Sequence, residues 1–384
     1  MRFEFATANR ILFGPGTCAE VPKLAALLGR RAFVVSGLLE RAAPLLEKLA
    51  RHGLEAIPFA VTKEPDVSTV LSATRNLLES DCDLVIGIGG GSALDTAKAV
   101  AALALNPGDP LDYLEVVGRG RPLEHPPLPC IAIPTTAGTG AEVTRNAVIA
   151  VPEHRIKVSL RSPLMLPRLA VVDPELTYSL PPDITAYTGL DALTQCLEPF
   201  VSNAPNPLTD AICREGLRRA GRSLRRAYEN GADREARYDM SLAALCGGLA
   251  LANARLGAVH GLAGPLGGRY PQAHHGALCA RLLPEVVEMN LRALQARGPD
   301  HEALARYDEA GRLLLGEDYR GPQSLLDWLR DTVETLAIPR LATYGVTPQD
   351  FPILVEQAQR ASSMKGNPLP LSAAEIREIL ERAL

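Results

Sequence analysis

Short apolar runs alternate with longer amphipathic stretches through the first half of the chain. Apolar runs of roughly four to eight residues predict buried strands, and stretches with apolar residues three or four positions apart predict helices. Strands that alternate with helices indicate a parallel sheet covered by helices on both faces. The predicted strands are 31–36, 54–61, 83–87, 130–134 and 169–173, and the predicted helices between them are 38–52, 67–80 and 92–105.

The pattern changes near Leu180-Pro-Pro-Asp, because strand-like runs stop there and long helical segments follow. We therefore predict an α/β domain over residues 1–180 and an all-α domain over residues 181–384. The length of 384 residues agrees with two domains, since a domain typically has about 150 residues. The predicted helices of the second domain are 183–200, 206–228, 233–254, 259–266, 276–297, 301–316, 322–335, 348–363 and 372–384.

Charge and composition exclude several classes of protein. The formal net charge of −4 is too balanced for a protein that mainly grips nucleic acid or an anionic membrane surface. The first ten residues lack the apolar core of a signal peptide, and the longest weakly charged stretch, Met240–Ala254, is too short to span a membrane. We therefore expect a soluble cytoplasmic protein with no nucleic-acid and no membrane partner.

Cysteine and lysine usage narrow the chemistry further. Seven cysteines are scattered without a CxxC pair, so neither a disulfide framework nor a zinc knuckle is indicated, and most are expected to be reduced core residues. Only six lysines occur beside 34 arginines, a skew that coding bias explains best. Two of the six, Lys98 and Lys157, lie in segments with clear motifs.

A glycine-rich loop follows the predicted strand 83–87 and opens the helix 92–105. It reads Gly87-Ile-Gly-Gly-Gly-Ser-Ala-Leu-Asp-Thr-Ala-Lys98. Glycines let the backbone approach a pyrophosphate closely, and a helix N-terminus offers free N–H groups and a partial positive charge. The run is neither a strict GxGxxG, because Ser92 holds the last position, nor a Walker loop. Taken alone, it is also compatible with a simple tight turn.

A second loop, rich in glycine and threonine, follows the predicted strand 130–134. It reads Pro134-Thr-Thr-Ala-Gly-Thr-Gly-Ala-Glu142 and offers three hydroxyl groups at the carboxyl edge of the sheet. Ligands of open α/β sheets bind at that edge. Two such loops on adjacent strands therefore favour a dinucleotide site more strongly than either loop does alone.

The two loops and the helical second half together resemble the iron-containing, or group III, alcohol dehydrogenase family, whose relatives include glycerol dehydrogenase and maleylacetate reductase. The resemblance runs from Ile11-Leu-Phe-Gly-Pro-Gly16 to Asn367-Pro368, so it covers nearly the whole chain. It implies a Rossmann-like α/β nucleotide-binding domain over 1–180, an all-helical metal and substrate domain over 181–384, and a cleft between them. It also implies an NAD(P)-dependent hydride transfer that interconverts a small alcohol and its aldehyde or ketone.

The resemblance also assigns the cofactor contacts and leaves the choice of cofactor open. An Asp after the first nucleotide strand binds the ribose 2′-hydroxyl of NAD and repels a 2′-phosphate, but that position is Gly37 here. Arg41 lies one helical turn further on, so we favour NADP, with NAD as the alternative. The implied cofactor-binding residues are Gly37, Gly89, Gly90, Gly91, Ser92, Asp95, Thr135, Thr136, Thr139 and Lys157.

The family also implies a divalent metal, iron or zinc, held by an Asp, a His four residues later and two further histidines. The matching positions are Asp191, Gln195, His260 and His275. Gln195 replaces the first histidine, and its amide oxygen is a weaker ligand for iron or zinc, so the site binds a metal weakly, binds another metal or has lost it. His275 precedes a glycine as the family's last ligand does, whereas His274 satisfies the family's spacing; we favour His275.

The resemblance implies His260, at the metal, as a catalytic residue. Some relatives carry a proton-relay histidine at the position of Gly264, so the relay must differ here: His274 is our candidate replacement, and bulk water is the alternative. A metal at this site would act as a Lewis acid on a small alcohol or carbonyl substrate. Two rivals remain open. One is a maleylacetate-reductase-like oxoacid reductase that needs no metal, and the other is a sugar-phosphate cyclase. Family members usually self-associate, so a homo-oligomer is expected.

Overall fold

A parallel sheet forms the centre of the N-terminal half in the computed structural model, which describes residues 2–384. The order of its six strands in this part of the chain is β1-β8-β5-β4-β2-β3. The strands, including a separate hairpin of β6 and β7, are β1 (Ile11–Phe13), β2 (Arg31–Ser36), β3 (Glu55–Ala60), β4 (Leu84–Gly89), β5 (Cys130–Pro134), β6 (Asn146–Val151), β7 (Ile156–Arg161) and β8 (Leu169–Val172).

Helices cover the sheet and build the second half of the chain. The helices of the first half are α1 (Val21–Ala25), α2 (Leu39–Arg51), α3 (Val67–Glu79), α4 (Gly91–Leu103) and α5 (Pro110–Tyr113). Those of the second half are α6 (Pro182–Val201), α7 (Pro207–Glu229), α8 (Arg234–Asn253), α9 (Ala258–Arg269), α10 (His275–Arg297), α11 (Glu302–Leu315), α12 (Pro322–Thr335), α13 (Phe351–Arg360) and α14 (Ala373–Ala383). The predicted parallel sheet with helices, followed by a helical region, is confirmed.

Alternate residues of each central strand pack on opposite faces of the sheet, as the pleat requires. Val34 joins an apolar cluster with Leu49 of α2, whereas Val35 joins a different cluster with Leu77 of α3 and Val100 of α4. Both faces are therefore covered. This burial on two sides explains why the strands read as nearly continuous apolar runs and were visible in the sequence.

The strand order places two loops side by side. From β2 the chain moves outward to β3 and then returns to β4, which pairs with the other edge of β2. The loops that follow β2 and β4 therefore flank the point at which the order reverses. Open α/β sheets bind their ligands at such a point, outside the carboxyl ends of the strands.

The hairpin of β6 and β7 was missed by the sequence analysis. Its two strands pair antiparallel from Asn146 opposite Arg161 to Val151 opposite Ile156. The turn runs through a short 3₁₀ segment and places Arg155 at φ 50, with no glycine or Asn-Gly pair to mark it. Hairpins are recognised in sequence mainly by such turn residues, so this one left little signal.

Two units emerge from the contacts along the chain, here called the nucleotide unit and the helical unit. The nucleotide unit contains Ala6–Thr136 and Gly140–Thr177. The helical unit contains Tyr178–Leu384, the short segment Ala137–Thr139 and the described residues before Ala6. Its core is a single apolar cluster of mostly Leu, Ala and Val, which fits an aromatic content of 4%.

Within residues 2–384, no single helix combines the length and the apolar character needed to cross a membrane. Arg234–Asn253 and Ala258–Arg269 reach that length and apolar character only as a pair, and the two helices are bent by 95° relative to each other.

Candidate functional site

The loop between β4 and α4 is shaped by glycine. Gly89 has φ +157, and a Cβ there would lie 2.7 Å from the Ala93 Cβ and 3.4 Å from the Gly37 nitrogen. Only glycine fits this conformation and this close approach. Gly90 is the N-cap of α4 and supplies no side-chain cap; the Ala93 amide donates to the Gly90 carbonyl over 3.1 Å, and the amides of Gly91 and Ser92 remain available to an anion.

The second loop lies next to the first. β4 pairs with β5, and the Thr135 amide donates a hydrogen bond to the Gly89 carbonyl over 2.9 Å. A Cβ on Gly90 would lie 3.5 Å from the Thr136 methyl group. The prediction that the two loops follow adjacent strands is therefore confirmed, and Gly90 and Thr136 face each other across a narrow gap.

Lys98 anchors the segment that follows the second loop. Its side chain is fully buried, and Nζ donates to the Ala141 carbonyl and the Thr144 hydroxyl, each over 2.9 Å, and to the Asn146 carbonyl. Asp95 pairs with Lys98 over 3.0 Å and accepts a hydrogen bond from the Val148 amide. Both side chains thus tie α4 to β6, a structural role beside the cofactor contact predicted for Asp95.

The remaining predicted cofactor residues lie in different surroundings. Ser92 is half-buried in the first turn of α4, and Lys157, on β7, forms an ion pair with Glu64. Thr139 belongs to the short segment that groups with the helical unit. In that segment a Cβ on Gly138 would lie 2.7 Å from the Thr188 Cβ, so glycine lets the loop pack against α6.

A cluster of metal-ligating side chains lies in the helical unit, and we call it the metal cluster. Its four ligand atoms all lie within 4.8 Å of one another. They come from α6, α9 and α10. The cluster consists of Asp191, His260, His275 and Cys279. Three of these positions were predicted from the sequence, and Cys279 was not.

Glu198 fixes the orientation of His260. Its Oε2 lies 2.6 Å from the His260 Nδ1, and its Oε1 accepts a hydrogen bond from the Val259 amide over 2.7 Å. The imidazole Nε2 is therefore directed at Asp191, whose Oδ1 lies 3.4 Å away. A carboxylate behind a histidine in this way orients metal ligands in many proteins. Glu198 follows Gln195 by one helical turn, a spacing that could have identified it.

Within residues 2–384, three buried polar atoms in or next to the metal cluster have no hydrogen-bond partner. They are Asp191 Oδ1, Gln195 Oε1 and His260 Nε2. Gln195 uses its Nε2 to donate to the other Asp191 oxygen over 3.2 Å, so the amide nitrogen and not the amide oxygen makes the contact with Asp191. Buried polar groups are nearly always paired, so atoms left over together indicate a missing partner.

Gly276 brings α10 against α6. A Cβ at this position would lie 2.3 Å from the Tyr187 carbonyl oxygen and 3.4 Å from the Asp191 Cβ. The approach places the His275 Nε2 4.0 Å from Asp191 Oδ1. His274, by contrast, is exposed and caps α10 by accepting a hydrogen bond from the Gly276 amide. The structure thus brings His275, and not His274, into the metal cluster.

The electrostatics of the cluster favour positive charge. Burial alone would raise the pKa of Asp191, but the facing imidazoles of His260 and His275 lower it to about 2. Burial would lower the pKa of His260, yet Cys279 and the Asp191 and Glu198 carboxylates raise it well above its usual value. Burial raises the pKa of the Cys279 thiol to about 12. The pocket therefore holds ionised carboxylate and stabilises a cation beside it.

Comparisons with known proteins agree with this geometry. A model of the iron-containing alcohol dehydrogenase family matches residues 8–174, and a model of the C-terminal region of the Fe-containing alcohol dehydrogenase family matches residues 185–384. Alcohol dehydrogenase 4 of Saccharomyces cerevisiae (strain YJM789) is 38% identical over 349 residues, which cover 90% of this chain and 87% of the yeast protein. The 4-hydroxybutyrate dehydrogenase of Cupriavidus necator is 34% identical over 364 residues, which cover 93% and 91% of the two chains.

Comparison with solved structures also indicates this family. The crystal structure of a 1,3-propanediol oxidoreductase superposes with a TM-score of 0.92 at 31% identity and covers 100% of both chains. Enzymes of this family use NAD(P) and a divalent metal. The chain belongs to the iron-containing alcohol dehydrogenase family and is, like these relatives, an alcohol-transforming oxidoreductase.

Proposed function

We propose that this chain is an NADP-dependent alcohol dehydrogenase that interconverts a small alcohol and its aldehyde or ketone with a divalent metal at the metal cluster. The observation that carries the proposal is a pair of buried atoms, Asp191 Oδ1 and His260 Nε2, which lie 3.4 Å apart and lack hydrogen-bond partners among residues 2–384. Each unpaired buried polar atom costs about 1–3 kcal/mol. A cation beside them would satisfy both atoms at once.

The residues that would hold the metal are Asp191, Gln195, His260 and His275. When bound, the nicotinamide cofactor supplies or accepts the hydride, and the metal supplies Lewis acidity towards the substrate oxygen. Asp191 contributes the negative charge that a divalent ion requires. Glu198 keeps His260 in one ring orientation through its contact with Nδ1, so that Nε2 needs no rearrangement to bind.

Phosphate binding is assigned to the two adjacent loops of the nucleotide unit. Gly89 and Gly90 let the backbone come close to a pyrophosphate, and the open N-terminus of α4 offers amide donors. Thr135 and Thr136 add hydroxyl groups on the neighbouring strand end. These groups carry no formal charge, which suits a dinucleotide held mainly through backbone hydrogen bonds.

The preference for NADP rests on Gly37 and Arg41. Gly37 directly follows β2, beside the first loop, and has no carboxylate to repel a 2′-phosphate. Arg41 is exposed in the first turn of α2, where it is available to a phosphate. Together they support NADP as the preferred cofactor, and NAD is the competing outcome.

His274 is our candidate for proton exchange with solvent. Its Nδ1 accepts a hydrogen bond from the Gly276 amide, so the neutral ring carries its proton on Nε2. His274→Asn keeps a side chain that caps α10 well but removes the imidazole ring, which can take up and release a proton. We expect the variant to lower kcat and flatten its pH profile while the metal content is unchanged. An unchanged pH profile would remove His274 from the mechanism.

The principal test is turnover by protein stripped of metal and then reloaded separately with Fe²⁺ and Zn²⁺. We expect oxidation of NADPH in the presence of small aldehydes or ketones, and no oxidation before reloading. Activity that persists under chelation would favour a metal-independent oxoacid reductase. The absence of hydride transfer with every metal and every carbonyl compound would overturn the proposal.

Substitution of two arginines on α2 tests the choice between NADP and NAD. We expect Arg41→Ala to raise the KM for NADPH and leave the KM for NADH unchanged. Arg51→Ala, at the other end of α2, is the matched control because Arg51 is also exposed and pairs only weakly with Glu47 over 3.6 Å. Equal effects of both substitutions on both cofactors would contradict the assignment of Arg41.

The proposal extends to a cytoplasmic enzyme that works as a homo-oligomer, on the strength of the family resemblance. Light scattering on the purified protein measures the assembly, and a mass equal to that of one chain would contradict this part of the proposal.

A further inference from the structure

Cys279 is the member of the metal cluster that the sequence motifs did not assign. It lies on α10, four residues after His275, and its Sγ is 3.5 Å from the His275 Nε2. Residues four apart on a helix share one face, so the sulfur and the imidazole point in the same direction. Cys279 is completely buried, so its side chain lies against the metal cluster and is closed to solvent.

The spacing of the four ligand atoms fits a tetrahedral ion. With metal–nitrogen and metal–oxygen bonds of about 2.0 Å and a metal–sulfur bond of about 2.3 Å, neighbouring ligand atoms lie about 3.3–3.6 Å apart. The separations are 3.4 Å between His260 Nε2 and Asp191 Oδ1, 3.5 Å between His275 Nε2 and Cys279 Sγ, and 4.0 Å between His275 Nε2 and Asp191 Oδ1. The other three separations lie within 4.8 Å, so the four atoms surround one point that an ion could occupy after the side chains close on it.

The other buried cysteines of the helical unit have ordinary surroundings. Cys196 donates to the Ala243 carbonyl over 3.5 Å, and Cys213 and Cys246 lie in the apolar core beside it. Cys279 differs because it faces two imidazoles and a carboxylate, and because two of those groups have unpartnered buried atoms aimed at the same point. The sulfur therefore lies where a ligand is needed.

We propose that Cys279 binds the metal as a thiolate together with Asp191, His260 and His275, and that this ligand makes the site select zinc over iron. The inference rests on the proposed function, since it concerns the same metal. On binding, the S–H bond breaks, the S–metal bond forms and the proton passes to the buffer. Thiolate is a soft ligand that favours zinc, whereas a third imidazole or an amide oxygen as the fourth ligand gives no such preference.

Gln195 acquires a different role under this assignment. Its Nε2 donates to Asp191 Oδ2 over 3.2 Å, so it holds the carboxylate with Oδ1 turned towards the cluster. Gln195 is then a positioning residue, and the ligand lost at position 195 is compensated from α10. Glutamine at position 195, where the family has a histidine ligand, and cysteine at position 279 together exchange one metal ligand for another.

The first test uses cobalt as a spectroscopic substitute in the full-length protein. Co²⁺ bound by thiolate gives a charge-transfer band in the near ultraviolet, whereas its visible bands report binding by any ligand set. We expect both in the wild-type protein, and loss of the near-ultraviolet band alone in Cys279→Ser and Cys279→Ala. Cys246→Ser is the matched control, because Cys246 is buried in the same unit on α8 and should leave both signals intact.

The second readout is metal selection. Wild-type protein is incubated with equimolar Zn²⁺ and Fe²⁺ without oxygen, and the bound metals are measured by elemental analysis. We expect mostly zinc, and a fall of at least about tenfold in the zinc-to-iron ratio in Cys279→Ala, in line with the loss of one ligand. Gln195→His should leave the near-ultraviolet band in place.

The outcomes separate this inference from the proposed function. Visible cobalt bands without the near-ultraviolet band in the wild-type protein would overturn the thiolate and leave the metal site standing. No cobalt bands at all, together with no turnover, would overturn the proposed function itself. The wild-type spectrum is decisive even where a Cys279 variant fails to fold.

Discussion

The two candidate sites are built in opposite ways. The proposed phosphate site of the nucleotide unit consists mainly of backbone groups around Gly89 and Gly90. The metal cluster is made of side chains that come from three separate helices and include a buried carboxylate. A backbone site depends on a short continuous motif, whereas a side-chain site depends on helix packing and can exchange one ligand for another.

The difference predicts that each site can be damaged without loss of the other. The largest effect is expected for Asp191→Asn, which removes the charge of the ligand and keeps its size. Loss of Lewis-acid assistance is worth several kcal/mol, so kcat/KM should fall by roughly 10³-fold. Elemental analysis should show little metal, while fluorescence titration should show NADPH binding unchanged. Wild-type turnover by Asp191→Asn would contradict the assignment of Asp191 as a metal ligand needed for activity.

A smaller effect is expected for Glu198→Gln, because Glu198 contacts the ligand His260 and not the metal. Substitution of such supporting groups lowers metal affinity by about 10–100-fold. Metal competition with a chelator dye measures the affinity. Glu215→Gln is the control, since Glu215 is a more exposed carboxylate of the same unit that pairs with Arg219. Equal losses in both variants would show that Glu198 acts through general stability.

Gly90→Ala is expected to weaken cofactor binding and to leave the metal cluster intact. A Cβ there keeps 3.5 Å from Thr136 and does not strain the fold, but it occupies the space through which a pyrophosphate approaches. The Kd for NADPH should rise roughly tenfold, which corresponds to about 1.4 kcal/mol, with the metal content unchanged. Gly89→Ala should instead destabilise the protein, because its Cβ would lie 2.7 Å from Ala93 at φ +157. Unchanged NADPH affinity in Gly90→Ala would argue against the assigned loop.

The smallest effect concerns the pH dependence of the nucleotide unit. Burial raises the pKa of Glu142 to about 7, with Lys98 opposing the shift. The folded state therefore holds a proton that the unfolded state releases near pH 4.5, and stability falls as the pH rises towards and through 7. Between about pH 6 and about pH 8 the free energy of unfolding should fall by about 1.4 kcal/mol from this group.

Glu142→Gln tests this directly, since the amide does not titrate. Urea unfolding at several pH values should show a shallower decline for the variant than for the wild type. An identical slope in both proteins would show that Glu142 is ionised in the folded state.

Much of the fold was predictable because the central strands β4, β5 and β8 are fully buried and apolar along their whole length. The β4–α4 loop was predictable for a related reason, since the glycines that shape it are contiguous. The hairpin of β6 and β7 was missed because its turn, which runs from Pro152 to Arg155, contains no glycine or Asn-Gly pair. The helix predicted over 348–363 is shorter in the structure, Phe351–Arg360, with 3₁₀ segments on either side.

The metal cluster was only partly predictable. Asp191, His260 and His275 were identified by resemblance, and the choice between His274 and His275 depended on which residue caps α10. Cys279 was missed because no motif marks it, although its spacing of four residues from His275 places both on one face of α10. Glu198 was missed as well, although its spacing from Asp191 places it on the same face of α6.

Burial of Lys98 has a practical consequence for work on this protein. Lys98 and Lys157 have side chains that are 0% and 8% exposed, whereas Lys23, Lys48, Lys63 and Lys365 are open to solvent. Amine-reactive dyes and amine-coupled supports will therefore attach to these four side chains first, and the two lysines in the nucleotide unit's motif segments stay unmodified. Because lysine is scarce in this chain, the protein can be tethered or labelled through its lysines at a few defined points.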